Sequence, residues 1–282
     1  MKVGLNLGAL NPTQWTPVTV EADRLGFESV WMPEHLVIPL AAEGSPFAGS
    51  DHPPVPADVP VFDVFAYLGF LAGQTEKIRF GTYVYNLGLR HPFIAARAVA
   101  TLDVVSGGRV EFGVGAGWLA AEWEAVGLEF SSRGRRLDEC LEVCRRLWTD
   151  AVVEHHGEFF DFGPVMFEPK PVQHRLPVHI GGDGSAALRR AALLGDGWVP
   201  MNTPLEDIPA PIARLGELRR QAGLGGTPEV TVGGEVNSTA ELDRYAQAGV
   251  DRLIVRPWRR SADAIESVHR FAEEVLHSSE SD

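Results

Sequence analysis

The sequence predicts an α/β fold, a (β/α)8 TIM barrel with insertion loops. Short apolar runs alternate with longer segments of helical periodicity along the whole chain. Eight such runs can be counted, Val3–Leu7, Ser29–Met32, Arg79–Tyr85, Val110–Val114, Pro177–Ile180, Gly197–Pro200, Val230–Gly233 and Arg252–Val255. They are too apolar for strands with one wet face, which points to a parallel sheet covered by helices. An open doubly wound sheet is the competing architecture, but it usually needs fewer strands.

The first helical stretch carries Val18, Ala22 and Leu25 on one face and stops at Gly26-Phe27, just before the second strand. A helix is expected over Val61–Gln74. In the next, Pro92 sits in the first turn, Ala95, Ala98, Val99 and Leu102 form the apolar face, and Gly107-Gly108 ends it. Leu137, Leu141, Cys144 and Trp148 mark another buried face, and Gly195 and Gly249 stop the helices before strands six and eight. Two segments break the rhythm. Residues 33–60, with seven prolines, read as a lid-like insertion, and residues 151–176 read as a second insertion able to form a short hairpin. A single domain is expected over 1–276, with 277–282 a disordered tail.

Composition narrows the function. The chain has 282 residues, a length that a single barrel domain can fill, as such barrels often run to about 250. Its 25 Lys+Arg against 38 Asp+Glu give a formal charge of −13, with no basic stripe for nucleic acid. Two cysteines, Cys140 and Cys144, exclude a disulfide framework or a four-cysteine zinc site, and their i,i+4 spacing reads as core. The uncharged stretch Val3–Val20 is interrupted by Asn6, Asn11, Pro12, Gln14 and Pro17, so it is no membrane span. The N-terminus reads as a strand rather than a secretion signal, and a cytoplasmic location is expected.

Barrels of this type keep their chemistry at the carboxyl ends of the strands. Here those ends are rich in glycine and aromatic residues, which suits a flat ring better than a metal. Gly181-Gly182-Asp183-Gly184-Ser185 opens the helix Ala186–Leu194 and could bind phosphate through free N–H groups, with Arg189 and Arg190 one turn further on. The simpler alternative is a tight turn capped by Asp183 or Ser185. Gly113-Val114-Gly115-Ala116-Gly117 lacks dinucleotide-fingerprint spacing and reads instead as backbone laid against a planar ring. His35, at the end of strand two, could pass a proton or bond to a ring atom; a structural histidine beside Glu34 is the alternative. Glu122, with Glu124 beyond it, is a candidate acid, though a solvated helix face is the simpler reading. His52 and His155-His156 have no carboxylate or cysteine partners at ligand spacing, so no metal is expected. No Gly-x-Ser-x-Gly elbow is present.

Several segments together resemble the bacterial-luciferase-like oxidoreductases of the luciferase-like monooxygenase superfamily, in the branch that uses the deazaflavin coenzyme F420. They are Glu21-Ala22-Asp23-Arg24-Leu25-Gly26-Phe27-Glu28-Ser29-Val30-Trp31-Met32-Pro33-Glu34-His35, the run from Lys77 to Pro92, Ala100 to Arg109, and Gly113 to Trp118. Further matches are Arg133 to Glu139, Pro169 to Gln173, and Ile180 to Trp198. They span residues 1 to about 200 in the right order. The resemblance implies a homodimeric barrel holding coenzyme F420, or FMN as the alternative, with a non-proline cis peptide at Tyr83-Val84. It implies His35 and Glu34 as catalytic candidates, beside Glu122, which is a candidate from its position alone. It places Tyr83, Val84, Asn86, Gly117 and Trp118 around the ring, and Gly181, Gly182, Gly184 and Ser185 near the phosphate.

Deazaflavin-dependent sugar-phosphate dehydrogenases of the superfamily carry a carboxylate where this chain has Trp118, and bind the sugar phosphate through lysines with no clear counterpart here. Together with Trp15, Trp198, Trp258 and Tyr83, this points to a small apolar or aromatic substrate. The reaction expected is hydride transfer at the deazaflavin C5, in the direction of reducing an activated C=C or C=N bond. A two-component FMN monooxygenase and a non-catalytic flavin-binding barrel are the alternatives. Trp123 and Trp148 are expected to offer an interface.

Overall fold

A computed structural model describes residues 1–8, 10–40, 42–45 and 56–277. The strands are β1 (Lys2–Asn6), β2 (Ser29–Met32), β3 (Arg79–Thr82), β4 (Tyr85–Asn86), β5 (Val110–Gly115), β6 (Val153–His156), β7 (Asp161–Val165), β8 (Val178–Gly181), β9 (Gly197–Val199), β10 (Glu229–Gly233) and β11 (Arg252–Val255). All but β6 and β7 pair in parallel in the order β3-β2-β1-β11-β10-β9-β8-β5, with β4 beyond β5. Pairing of β3 with β5, Phe80 opposite Val110, closes the ring. The result is an eight-stave barrel in which β3 and β4 share one stave.

That shared stave departs from the uninterrupted strand expected over Arg79–Tyr85. The Tyr83–Val84 peptide is cis, so the chain leaves the sheet after Thr82 and rejoins β5 at Tyr85 and Asn86. Thr82 Oγ1 donates to Gly113 O at 2.6 Å across the break.

The helices are α1 (Pro12–Leu25), α2 (Val64–Ala72), α3 (Pro92–Ser106), α4 (Ala120–Ala125), α5 (Arg133–Thr149), α6 (Ser185–Leu194), α7 (Pro209–Gln221), α8 (Thr239–Gln247) and α9 (Ala264–Phe271). All but α4 and α8 bury apolar side chains against the staves or a neighbouring helix, because a parallel sheet leaves neither face to water. Helix α1 begins at Asn11, whose side chain accepts from Thr13 N at 3.0 Å, and buries Trp15, Val18 and Ala22. Helix α5 buries the expected Leu137, Leu141, Cys144 and Trp148.

Buried tryptophans correct two expectations. Trp123 and Trp148 form no interface: Trp123 is fully enclosed, and Trp148 Nε1 donates to Ala96 O at 3.1 Å. Trp15, Trp198 and Trp258 also lie in the core and line no substrate space. Of the insertions, residues 151–176 form the antiparallel hairpin β6–β7. Glu139 on α5 pins it by accepting from Phe159 N and Phe160 N. Of the lid-like insertion, residues 41 and 46–55, His52 among them, lie outside the described residues. His277, expected in a free tail, bonds through Nε2 to Leu25 O at 3.1 Å, and 278–282 lie outside the described residues. Among the described residues no helix is long and apolar enough to cross a membrane.

The amino end of the barrel is plugged by charge, a feature hidden within apolar runs. Arg252, fully buried, donates to both Glu28 oxygens at 2.8 Å and pairs with Glu229. Glu111 accepts from Arg79 at 2.5 Å and lies 2.5 Å from His179 Nε2. Glu111, His179 and Glu229 lie close enough to share a cation, but the Arg252 guanidinium already pairs with two of them. Burial pushes the Glu111 carboxyl up, yet His179, Arg252 and Arg79 outweigh it and bring it from 4.5 down to about 2. A carboxyl depressed in the folded state stabilises above its unfolded value, and the gain is lost as pH falls toward the folded one. The shift corresponds to on the order of 3 kcal/mol. Glu111→Gln should therefore cost most stability near neutrality, and the gap to wild type in urea midpoint should close between about pH 4.5 and 2. A gap independent of pH in that window would remove Glu111 from the acid response.

Candidate active site

At the carboxyl end of the barrel the strand ends enclose a cavity of about 550 Å³. This is ample for a drug-sized ring system. Its walls come from the segments after β2, β5, β8 and β9, from the cis turn, and from the starts of α5 and α6.

Two carboxylates are buried beside it. Glu34, following β2, pairs with Arg90, whose Nη1 lies 3.1 Å from Oε2, and accepts from Asn86 N at 3.0 Å. Burial raises the Glu34 carboxyl. Arg90 and the Asn86 N–H draw it back, and the Glu122 charge adds to the rise. Glu122, on α4, is wholly enclosed rather than on a solvated face. It accepts from Leu36 N at 2.5 Å, Val37 N at 3.3 Å and Asn86 Nδ2 at 3.3 Å, and its Oε2 lies 3.1 Å from His35 Nδ1. The helix-face reading fails because α4 turns this side chain inward beneath the start of the lid-like insertion. A carboxylate accepts only from a donor, so Nδ1 bears the hydrogen and Nε2 is left for the cavity. The His35 ring stands edge-on to Trp118 at 5.8 Å. Glu124 is exposed.

Beside this polar corner lies a shelf of backbone. Val84 packs so near β5 and β8 that a Cβ on Gly115 would come within 2.7 Å of its Cγ2, and one on Gly181 within 3.0 Å. Gly117 has φ +77°, and a Cβ there would meet Trp123 Nε1 at 2.9 Å. That indole nitrogen is buried without a hydrogen-bond partner among the described residues. A flat ring can approach such a surface where side chains would hold it off.

The segment after β8 does not form the capped turn that was the simpler expectation for this loop. Neither Asp183 nor Ser185 caps α6; Gly184 is its N-cap and no side chain bonds there. Asp183 instead accepts from Met201 N and Asn202 N at 3.1 Å and from Thr203 Oγ1 at 2.6 Å, bracing the segment after β9. The first N–H groups of α6 thus meet no capping side chain, and Arg133 and Arg190 stand in the same cavity wall. Arg190 is fixed by Asp138 and Gly134 O, whereas Arg189 is exposed. Ser185 is exposed too, at the first position of α6, and its side chain is not part of the cavity wall.

The cavity thus gathers His35, Glu34, Tyr83, Val84, Asn86, Gly117, Trp118, Gly181, Gly182 and Gly184, with Glu122 just behind. Sequence reasoning missed Arg90 and Arg133. A buried acid needs a counter-charge, and Arg90, in the segment that follows the third stave, was the signal for one of them. No residue of 151–176 reaches the cavity. His155 pairs with Glu139 and His156 with Asp161 on the outer hairpin.

A barrel that buries two acids beside a histidine at the mouth of a cavity is built as an enzyme. The chain matches the luciferase-like monooxygenase family over residues 5–274 and belongs to it; it is a luciferase-like oxidoreductase. It is 34% identical to an uncharacterized protein of Mycobacterium tuberculosis, over 89% of this chain and 90% of that one. It is 33% identical to the F420-dependent glucose-6-phosphate dehydrogenase of Segniliparus rotundus, over 71% of this chain and 56% of the relative. Among solved structures, the oxygenating constituent of 3,6-diketocamphane monooxygenase from Pseudomonas putida, in complex with FMN, superposes with a TM-score of 0.72. The identity is 17%, over 99% of this chain and 98% of that one.

Arg90→Met should cost ~3–5 kcal/mol by leaving Glu34 buried without its counter-charge. Because the Glu34 carboxyl already lies above its ordinary 4.5, the folded state then holds its proton more tightly than the unfolded chain. Stability of the variant is therefore greatest at low pH and falls as pH rises through the folded-state value. Thermal midpoints from pH 5 to 8 check this, and a loss equal at every pH would mean Asn86 alone satisfies the carboxylate.

Proposed function

We propose that this enzyme is a coenzyme F420-dependent oxidoreductase that moves a hydride between the deazaflavin C5 and a small organic substrate, reducing an activated C=C or C=N bond. The observation that carries the reading is the glycine shelf packed on Val84 next to the uncapped start of α6. One accepts a flat ring and the other an anionic tail. The sequence relationship to an F420-dependent dehydrogenase supports the same choice of cofactor.

In this reading Val84, Gly115, Gly117 and Gly181 support the ring, while Gly182, Gly184, Arg133 and Arg190 hold the phosphate. When bound, the deazaflavin supplies the hydride. His35 offers Nε2 to the reacting partner, and Glu122 fixes the ring so that this nitrogen faces the cavity. Glu34, held by Arg90, sets Asn86, which in turn reaches Glu122. Trp118, Val84 and Met201 form the apolar wall of the substrate space. Among the described residues no lysine lines the cavity, so a sugar phosphate is not the substrate proposed, and the apolar reading now rests on these three side chains.

FMN with a separate reductase is the second reading, since a barrel of the same fold is in complex with FMN. Titrating the purified chain with F420 and FMN separates them. Tight F420 binding is expected, whereas tight FMN binding with oxygen-dependent turnover would reverse the choice. In the F420 assay His35→Ala should slow hydride transfer by roughly 10²–10⁴. Unchanged transfer would leave His35 a structural residue, and a bound cofactor that is neither reduced nor oxidised would favour a non-catalytic barrel.

We also propose a homodimer that works in the cytoplasm. Helices α2 and α3 expose Phe70, Ile94, Val104 and Val105, apolar surface that a second copy would cover. Cys140 and Cys144 are buried free thiols, as suits a reducing compartment. Replacing both Ile94 and Val105 by Lys should yield a monomer by light scattering; an intact dimer would move the interface elsewhere.

A further inference from the structure

Tyr83 and Val84 are neighbours in the chain but point to different parts of the mouth. Val84 lies on the shelf against Gly115 and Gly181. Tyr83 sends its ring edge-on over Trp31, with centroids 6.3 Å apart, and its hydroxyl reaches β10, where a Cβ on Gly233 would lie 2.7 Å from the oxygen. Around the barrel β10 is the fourth stave from β3 in either direction. The phenol therefore spans the mouth and ends on the side opposite its own strand, away from the shelf proposed for the ring.

At that far side the hydroxyl has no hydrogen-bond partner among the described residues, although Tyr83 lines the cavity. Burial, reinforced by the Asp183 charge, pushes the phenol up to about 12, so it is a neutral donor. Asp183 itself is engaged by Met201 N, Asn202 N and Thr203 Oγ1. A neutral donor beside a negative charge suits an uncharged oxygen acceptor and disfavours an anion.

Resting on the proposed function, we infer that the Tyr83 hydroxyl holds the carbonyl oxygen of the substrate, and that this carbonyl is conjugated with the C=C bond to be reduced. The hydride from the reduced cofactor, which is thereby oxidised, forms a C–H bond at the β-carbon. The π pair moves onto the carbonyl oxygen as an enolate, and a proton taken from solvent and passed on by His35 then completes the α-carbon. Charge grows on the oxygen that Tyr83 donates to, so the bond strengthens as the hydride moves.

The test uses F420-loaded protein with 2-cyclohexen-1-one as probe, the enone labelled with ¹³C at its carbonyl. Tyr83→Phe keeps the ring over Trp31 and should leave F420 affinity within about twofold. It should lower kcat/KM for the enone ~10-fold or more. The carbonyl stretch of the bound enone should rise, as expected on losing a donor. Gly233→Ala, which puts a methyl where the hydroxyl lies, should move both readouts the same way without touching Tyr83. Unchanged kcat/KM and stretch in both variants, with F420 still bound, would overturn the role of Tyr83 alone. A selective loss of F420 affinity in Tyr83→Phe would give the hydroxyl to the cofactor instead, and no binding of the enone by wild type would remove the carbonyl assignment. Failure of wild type to bind F420 would overturn the proposed function and this inference with it.

Discussion

The mouth of this barrel is organised by the requirement that two enclosed carboxylates be satisfied. An ionised acid cut off from water is costly unless charges or N–H groups surround it. Glu34 and Glu122 share one mediator, Asn86, whose backbone N–H serves the first and whose side-chain amide serves the second. Asn86 belongs to β4, so both acids bear on where the chain rejoins the sheet after the cis turn. That turn places Val84 on the glycine shelf and Tyr83 across the mouth. Glu122 also grips Leu36 N and Val37 N, which ties the first residues of the long insertion to the same corner as His35. Ring support, histidine orientation and insertion anchoring thus draw on one small set of charge-assisted bonds.

Charge does a different task at the other end. Arg252 and Glu111 fill the amino end of the barrel with paired ions where layers of branched apolar side chains are the usual filling. Such pairs are rigid when complete and expensive when broken, so the plug gives the staves a fixed register beneath Trp31. Trp31 packs over Gly81, donates to Ser29 Oγ at 2.8 Å and carries Tyr83 on its edge. Packing therefore continues from the sealed end to the floor of the cavity.

The barrel was legible because alternation of short apolar runs with helical faces is a property of the chain itself, and all eight runs became staves. The glycine shelf was legible for a related reason, since close backbone approach leaves a compositional trace. What escaped depended on tertiary placement. Glu122 reads as a wet residue on a short helix until that helix is turned over the cavity. Glu111 sits inside an apolar strand pattern that does not announce its partners on β8 and β11. Tryptophan was the misleading residue type: large rings suggested a pocket lining at Trp15, Trp198 and Trp258, yet the core consumed them. Asp183 looked like a helix cap from its neighbours, and only the fold shows it reaching the segment after β9.

Of the seven tryptophans, six are buried in the interior and Trp118 alone stands partly in the open, against His35 at the edge of the cavity. Indole emission reports on its surroundings, and the six enclosed rings emit from fixed, dry environments. An absorbing chromophore seated beside Trp118 would take up its excitation by short-range transfer. The chain therefore carries its own optical gauge of occupancy: indole light, that of Trp118 at the threshold included, dims as the mouth fills.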